Sequence, residues 1–143
     1  RESVYWYNML DIPANSKEKT NENILEMALR TRIKVFYRPE GLKGVPAEAA
    51  TGLTWQAVKT DQGYALRAIN PAAYNVSMTS VSVTSAGKTY TDDLGGMVAP
   101  KSSKDFPLKG LTNSPAVKSV VSYNWGTDYG NSVSTKSTVT EIR

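Results

Sequence analysis

The sequence has no cysteine and no histidine among its 143 residues. These absences exclude disulfide bonds and thiol catalysis, and they remove the commonest general base and most zinc or copper sites. No apolar run is long enough for a transmembrane helix, and helical periodicity is nearly absent. No carboxylate pair or serine–base arrangement stands out either, so we expect no catalytic residues, no metal site and no cofactor.

The charge balance is basic, with 17 lysines and arginines against 13 acidic residues and a net charge of +4. Such a balance can indicate nucleic-acid binding. Here the basic residues are scattered, without a glycine-rich phosphate loop or a cluster of aromatic and basic residues that could stack bases. We therefore expect neither nucleic-acid binding nor membrane insertion.

One stretch, from Leu25 to Tyr37, alternates with period two. Its odd positions are apolar except for Thr31, and its even positions include Glu26, Arg30, Arg32 and Lys34. This pattern predicts a β-strand. At about 3.3 Å per residue the strand would be roughly 43 Å long, which is unusually long. We expect one part to pair within its own domain and another part to be available to a partner.

A second predicted strand, Val4 to Ile12, precedes it. This segment is rich in aromatic and aliphatic residues on both faces, which is typical of a strand buried inside a sheet. The polar residues from Ala14 to Glu22 predict a loop. The two strands are therefore predicted to form a hairpin.

The remaining chain predicts a linker and a separate β-sandwich. Two prolines and two glycines lie between Pro39 and Pro46, and a helical turn is predicted at Ala47–Ala50. Short strands at regular spacing then predict an all-β sandwich. They are expected near Leu53–Lys59, Tyr64–Ile69, Tyr74–Thr84, Val98, Lys104–Pro107, Val117–Trp125 and Ser132–Ile142. The predicted domains are 1–38, an incomplete hairpin domain, and 47–143, joined by the linker 39–46.

Two of these strands have interpretable faces. In Val117–Trp125, alternation predicts that Val117, Val121, Tyr123 and Trp125 point inward. In Tyr74–Thr84 the apolar parity changes between Met78 and Val81, which indicates a β-bulge or a change of facing.

Several separated motifs resemble the periplasmic chaperones of the chaperone–usher pilus pathway. They are Arg1-Glu2-Ser3, Asp11-Ile12-Pro13, the run from Leu29 to Pro39, the Asn70-Pro71 turn before an aromatic strand, and Asp128-Tyr129-Gly130. The resemblance implies the last two strands of a first immunoglobulin-like domain followed by a complete second one. It also implies that about the first third of such a chaperone lies outside this chain.

The function implied by this resemblance is that of a periplasmic chaperone, not an enzyme. Such a protein binds and caps pilus subunits by donor-strand complementation and delivers them to an outer-membrane usher. The rival interpretation is a structural or adhesive cell-surface β-sandwich module. A chaperone should release its subunit to another subunit's strand, whereas a structural module should stay in the polymer.

The resemblance also assigns a partner-binding role to Leu25, Met27, Leu29 and Lys34. The first three form an apolar row that, without the resemblance, would be interpreted as ordinary core. Lys34 matches the lysine that anchors the C-terminal carboxylate of a pilus subunit, and the alternative is a solvated lysine at a strand edge. The family pairs this lysine with an arginine of its first strand, which is absent here.

Glu2, Arg38 and Asp128 match charged residues that link the two domains of the family. An arginine between two carboxylates can donate hydrogen bonds to both, which would fix the interdomain angle. The alternative is three separate surface charges of little energetic value. The apolar faces of the hairpin also need a partner, either the absent part of the first domain as another chain or a second copy of the hairpin.

Overall fold

The computed structural model describes residues 1–12 and 27–143. Nearly all regular structure in these ranges is β-strand, so the all-β prediction is confirmed. The loop predicted at Ala14–Glu22 lies outside the described residues. The elements are β1 Ser3–Asp11, β2 Leu29–Tyr37, α1 Pro46–Thr51, β3 Thr54–Thr60, β4 Gly63–Asn70, β5 Val76–Ser85, β6 Lys88–Asp92, β7 Gly96–Val98, β8 Ser102–Pro107, β9 Val120–Gly126 and β10 Ser132–Ile142.

These elements form two compact units. One unit is the hairpin Ser3–Tyr37, and the other comprises Arg1–Glu2 and Arg38–Arg143. In the hairpin, β1 and β2 are antiparallel and in continuous register from Ser3↔Tyr37 to Asp11↔Leu29. In its described part the predicted strand begins too early, because β2 starts at Leu29, opposite the last residue of β1. Met27 and Ala28 lie outside the strand, and no described residue pairs with them. The first two predicted residues, Leu25 and Glu26, lie outside the described residues.

The prediction that the first strand is buried inside a sheet is wrong for this chain. The side chains of β1 are largely exposed; Tyr5 and Tyr7 retain 60% and 57% of their accessible surface. The reason is that β1 belongs to a sheet of only two strands, in which β2 is its one partner among the described residues. Its aromatic composition indicates burial correctly only when further strands are present.

The second unit is a sandwich whose two layers share β10. One layer contains β6, β7, β5 and β9, and the other contains β3, β4 and β8. Residues Ser132–Thr138 of β10 pair antiparallel with β9, and Val139–Ile142 pair parallel with β3. The register shifts between Val139 and Glu141. This irregularity lets one strand pass from the first layer to the second.

The core lies between these layers around Trp55 of β3. Its ring centroid is 5.0 Å from that of Tyr123 on β9 and 6.1 Å from that of Phe106 on β8. The Tyr123 hydroxyl donates a 2.9 Å hydrogen bond to the Ala50 carbonyl in α1, which ties the helix to the core. Burial raises the pKa of Tyr123, so this hydroxyl remains a donor.

Several local predictions are confirmed. Helix α1 contains the predicted turn at Ala47–Ala50, and β5 and β9 shift register between Met78 and Ser80, where the parity change predicts a bulge. One expectation fails, and one strand has no counterpart among the predicted ones. Val117 is half exposed because a left-handed turn at Lys118 precedes β9, and strand β6 was not predicted because its sequence, Lys-Thr-Tyr-Thr-Asp, has little apolar character.

Gly95 supports the bulge in β5. Its φ is +60°, and a Cβ atom there would collide with the carbonyl oxygen of Met78. Gly87, in the β5–β6 turn, is also left-handed at φ +77°, but a Cβ atom there would meet nothing within 4 Å. Gly87 is thus required only for its backbone conformation, whereas Gly95 is required both for its conformation and for the lack of a Cβ atom.

We predict that Gly95→Ala destabilises the sandwich more than Gly87→Ala does. Both variants lose about 1–2 kcal/mol from the left-handed conformation, but only Gly95→Ala must also move backbone. Urea denaturation followed by tryptophan fluorescence would measure the difference. Equal losses for the two variants would contradict the close approach at Met78.

Candidate binding surface and ion network

The backbone of β2 has one unpaired edge among the described residues. One edge is hydrogen-bonded to β1, and within residues 1–12 and 27–143 no strand pairs with the other edge. Exposed N–H and C=O groups along a strand can accept a further strand from another polypeptide. The hairpin therefore presents a template for strand addition.

One face of the hairpin is apolar and exposed. Residues that pair across antiparallel strands project to the same side. The register thus places these seven side chains on one face, all at least 46% exposed: Tyr5, Tyr7, Met9, Leu29, Ile33, Val35 and Tyr37. The two predicted occupants of the apolar surface, another chain supplying first-domain strands or a second copy of the hairpin, stay predictions.

The predicted apolar row has two described members. Leu29 is the first residue of β2, and Met27 lies two residues before it, outside the strand. Both are exposed, by 63% and 64%. The third member, Leu25, lies outside the described residues. Met27 and Leu29 are thus accessible to a partner, as a binding role requires.

The opposite face of the hairpin is basic. Lys34 pairs with Trp6 across the two strands, and its Nζ atom lies 5.3 Å from the indole ring centroid. Arg32, two residues earlier on the same face, places its guanidinium carbon 3.9 Å from the same ring. Arg30 is the next residue of this row and pairs with Leu10. Lys34 therefore stands beside a second cation over an aromatic ring.

The second unit holds the three predicted network residues together. Glu2 is only 2% exposed, and its carboxylate accepts a hydrogen bond from Arg38 Nε. Its other oxygen accepts 2.9 Å and 2.8 Å hydrogen bonds from the backbone and side-chain nitrogens of Asn75. A buried carboxylate requires such a complete set of donors.

Arg38 also binds Asp128 through both terminal nitrogens, at 2.5 Å and 2.8 Å. These hydrogen bonds are the main cause that raises the pKa of Arg38 above its usual range and lowers the pKa of Asp128 below its usual range. The guanidinium carbon also lies 5.6 Å from the ring of Tyr74. All described members of this network belong to the second unit, and its role in linking two domains stays a prediction.

Sequence reasoning missed Asn75 and Tyr74 as parts of this network. Asn75 supplies two donors to Glu2, and Tyr74 donates a 2.9 Å hydrogen bond to the Gly44 carbonyl. Both follow the Asn70-Pro71 turn, where the Asn70 side chain donates to the Tyr74 carbonyl at 2.8 Å. That turn was the available signal, but a pairing 73 residues away in sequence leaves no local pattern.

Residues 48–137 match the family described as "Pili assembly chaperone PapD, C-terminal domain", and residues 1–43 match "Pili and flagellar-assembly chaperone, PapD N-terminal domain". This chain belongs to the PapD family of pilus-assembly chaperones. Members of the PapD family are chaperones rather than enzymes. The sandwich described above is accordingly the immunoglobulin-like domain of PapD chaperones, which confirms the predicted fold class.

Among curated PapD-family relatives, the chain is 38% identical over 135 residues to YadV of Escherichia coli K12, named as a probable fimbrial chaperone. It is 36% identical over 131 residues to LpfB of Escherichia coli O157:H7, also so named. These alignments cover 93% and 92% of this chain but 54% and 52% of the relatives. The chain therefore spans about half the length of these relatives.

The crystal structure of the YadV chaperone shares the fold with a TM-score of 0.79 and 35% identity, covering 97% of this chain and 63% of that one. Within the described ranges, no helix combines the length and apolar character needed to cross a membrane. No group of three potential metal-binding side chains occurs in the same ranges.

The lowered pKa of Asp128 generates a prediction for stability. A carboxyl group with a depressed folded-state pKa stabilises the fold above its unfolded-state pKa of about 3.9, and that contribution is lost as pH falls through the folded-state pKa. Because Asp128 is half exposed, we expect Asp128→Asn to cost at most about 1 kcal/mol near neutral pH. The cost should vanish in strong acid.

Urea denaturation of the original protein and of the Asp128→Asn variant, repeated across the acidic pH range, would measure the difference in their free energies of unfolding. Asp105→Asn provides a matched control, because Asp105 forms a similar two-bond pair with Arg67 and also has a lowered pKa. It should show the same pH dependence. A cost for Asp128→Asn that does not change with pH would contradict the ion pair.

Proposed function

We propose that this chain acts in a periplasmic chaperone that binds and caps pilus subunits and delivers them to an outer-membrane usher. Family membership supports the class of activity, and the unpaired edge of β2 is the observation that carries the binding mechanism. Addition of a strand to an open sheet edge is an established mode of recognition in chaperone–pilin complexes. The usher and the periplasmic location rest on the family alone.

In this mechanism, the segment that begins at Leu25 pairs with the edge of an incomplete pilin sheet. Backbone hydrogen bonds supply part of the affinity, and the apolar row supplies the rest by filling pockets with alternate side chains. Burial of a side chain such as Met27 or Leu29 contributes about 1.5–3 kcal/mol. Their present exposure leaves this contribution to be gained on binding.

Lys34 supplies the polar anchor in the proposal. Its ammonium is exposed on the basic face and would hold the C-terminal carboxylate of the bound subunit. Glu2, Arg38 and Asp128 have a structural role: they tie together the residues immediately before β1 and immediately after β2. We propose that this arrangement fixes the interdomain angle in the chaperone.

We predict that Met27→Asp or Leu29→Asp abolishes co-purification of the pilus subunit. Each change would place an unpaired charge in an apolar pocket. The chain should stay folded, since both side chains are exposed, and circular dichroism would verify this. The control is Lys136→Asp in β10, on the exposed surface of the sandwich, which should retain the subunit. Thr31→Asp would not serve as a control, because Thr31 lies on the same face of the hairpin as Leu29.

Retention of the subunit by the Met27 and Leu29 variants would remove these residues from the interface. A second measurement separates a chaperone from a structural module. Added peptide carrying another subunit's donor strand should displace this chain from the captured pilin. A complex that persists under this competition would favour the structural role.

We predict that Lys34→Met weakens binding of a C-terminal pilin peptide with a free carboxylate more than binding of the same peptide with an amidated end. Methionine keeps an apolar stem of similar length but removes the charge. A charge-assisted hydrogen bond of this kind is worth roughly 1.5–3 kcal/mol, so the expected loss is about tenfold or more. Equal losses for the two peptides, measured by fluorescence anisotropy, would show that Lys34 acts through packing.

A further inference from the structure

Trp6 carries two cations on one face of the hairpin. The Arg32 guanidinium carbon lies 3.9 Å from its ring centroid and Lys34 Nζ lies 5.3 Å from the same point. The register explains this convergence, because Trp6 is directly opposite Lys34 and diagonally opposite Arg32, which faces Asn8. Both basic side chains can therefore contact the same ring while their backbones stay paired in β2.

This arrangement places two like charges against one aromatic ring. Each cation is attracted to the π face of the indole, and this attraction offsets part of their mutual repulsion. Within the described ranges neither Arg32 nor Lys34 forms an ion pair, in contrast to Arg38, which binds two carboxylates. An anion bound to both cations would offset the remaining repulsion.

The side chains also remain accessible. Trp6 is 44% exposed, and Arg32 and Lys34 are exposed residues. Arginine offers a planar pair of donors and lysine a compact charge, and together they suit the two oxygens of a carboxylate. Asn8, which pairs with Arg32, and Leu10, which pairs with Arg30, add no competing negative charge on this face.

We propose that Trp6, Arg32 and Lys34 form one carboxylate-binding site, in which Arg32 is a second donor and Trp6 is a positioning residue for both cations. The identity of the ligand rests on the proposed function, since the carboxylate is that of the bound pilus subunit. The site itself rests on the stacking geometry. Trp6 and Arg32 would thus take part in binding the carboxylate together with Lys34.

The first experiment tests the site without a pilus subunit, using iodide as an anionic quencher of tryptophan fluorescence. Trp55 is fully buried and Trp125 is 6% exposed, so Trp6 is the tryptophan that iodide can reach. At constant ionic strength, Arg32→Met and Lys34→Met should each lower the iodide quenching constant about twofold or more, because a nearby charge concentrates the anion. Quenching by neutral acrylamide should not change.

Arg30→Met is the matched control. Arg30 belongs to the same strand and the same face, but it pairs with Leu10 and is not stacked on Trp6. It should change iodide quenching much less than Arg32→Met. Equal effects of the two arginine variants, or an unchanged quenching constant in the Arg32 variant, would overturn the site.

The second experiment tests the ligand and the positioning role. The readout is the ratio of affinities for a C-terminal pilin peptide with a free carboxylate and for the same peptide amidated. Trp6→Leu and Arg32→Met should lower this ratio several-fold, Trp6→Phe should retain most of it, and Arg30→Met should leave it unchanged. A purely structural role of Trp6 would lower both affinities and leave the ratio intact, which would overturn the positioning role.

The outcomes separate the two proposals. If the original chain distinguishes the peptides and the Arg32 and Trp6 variants do so equally well, this inference fails and the proposed function stands. If the original chain binds both peptides equally, the pilin carboxylate is overturned as the ligand for Lys34 and for this site alike. If it binds neither peptide, the proposed function fails together with the assignment of the ligand.

Discussion

The buried carboxylate of Glu2 imposes the strictest requirement in the structure. A charge that is almost completely removed from water is tolerated only when its hydrogen-bonding capacity is filled. Arg38 and Asn75 fill it, and the remaining donors of Arg38 are held by Asp128. Because Glu2 immediately precedes β1 and Arg38 immediately follows β2, one ion pair joins the two points at which the hairpin leaves the second unit.

The sandwich and the hairpin differ in how they satisfy their surfaces. In the sandwich, Trp55, Tyr123 and Phe106 meet between two layers, and β10 supplies pairing to both. The hairpin unit consists of two paired strands and, among the described residues, has no second layer of its own. Its apolar face is therefore still exposed to solvent, and the backbone groups along its open edge are unpaired. Addition of a strand from a partner would bury apolar surface and form backbone hydrogen bonds, and both changes favour binding.

The arginines of this chain show how partners decide function. Arg38 has its donors committed to two carboxylates, so it serves the structure. Arg67 is likewise paired with Asp105 across β4 and β8. Arg32 instead lies against an aromatic ring, which attracts the cation without occupying its hydrogen-bond donors. Such a cation remains able to bind an anionic group from a partner.

Alternation of apolar and polar residues was sufficient to predict most strands of the sandwich and the bulge in β5. Period-two patterning is a local property that follows from the geometry of a strand with one buried face. It failed for β6, whose short polar sequence carries little contrast, and for Val117, where a left-handed turn at Lys118 interrupts the period. The alternating pattern also predicted an earlier start for β2 than the structure shows, since the length of a paired strand depends on the length of its partner.

By itself, the sequence determined the all-β class, the position of the hairpin, the apolar row and the basic face, because each is written in residues close together along the chain. Tertiary structure alone decided which side chains meet over long separations. Asn75 donates a hydrogen bond to Glu2, which lies 73 residues earlier in the sequence. Arg32 and Lys34 both contact the ring of Trp6 only when β1 and β2 pair in one particular register. A shift of that register by one residue would turn Trp6 to the opposite face, and no local pattern records the choice.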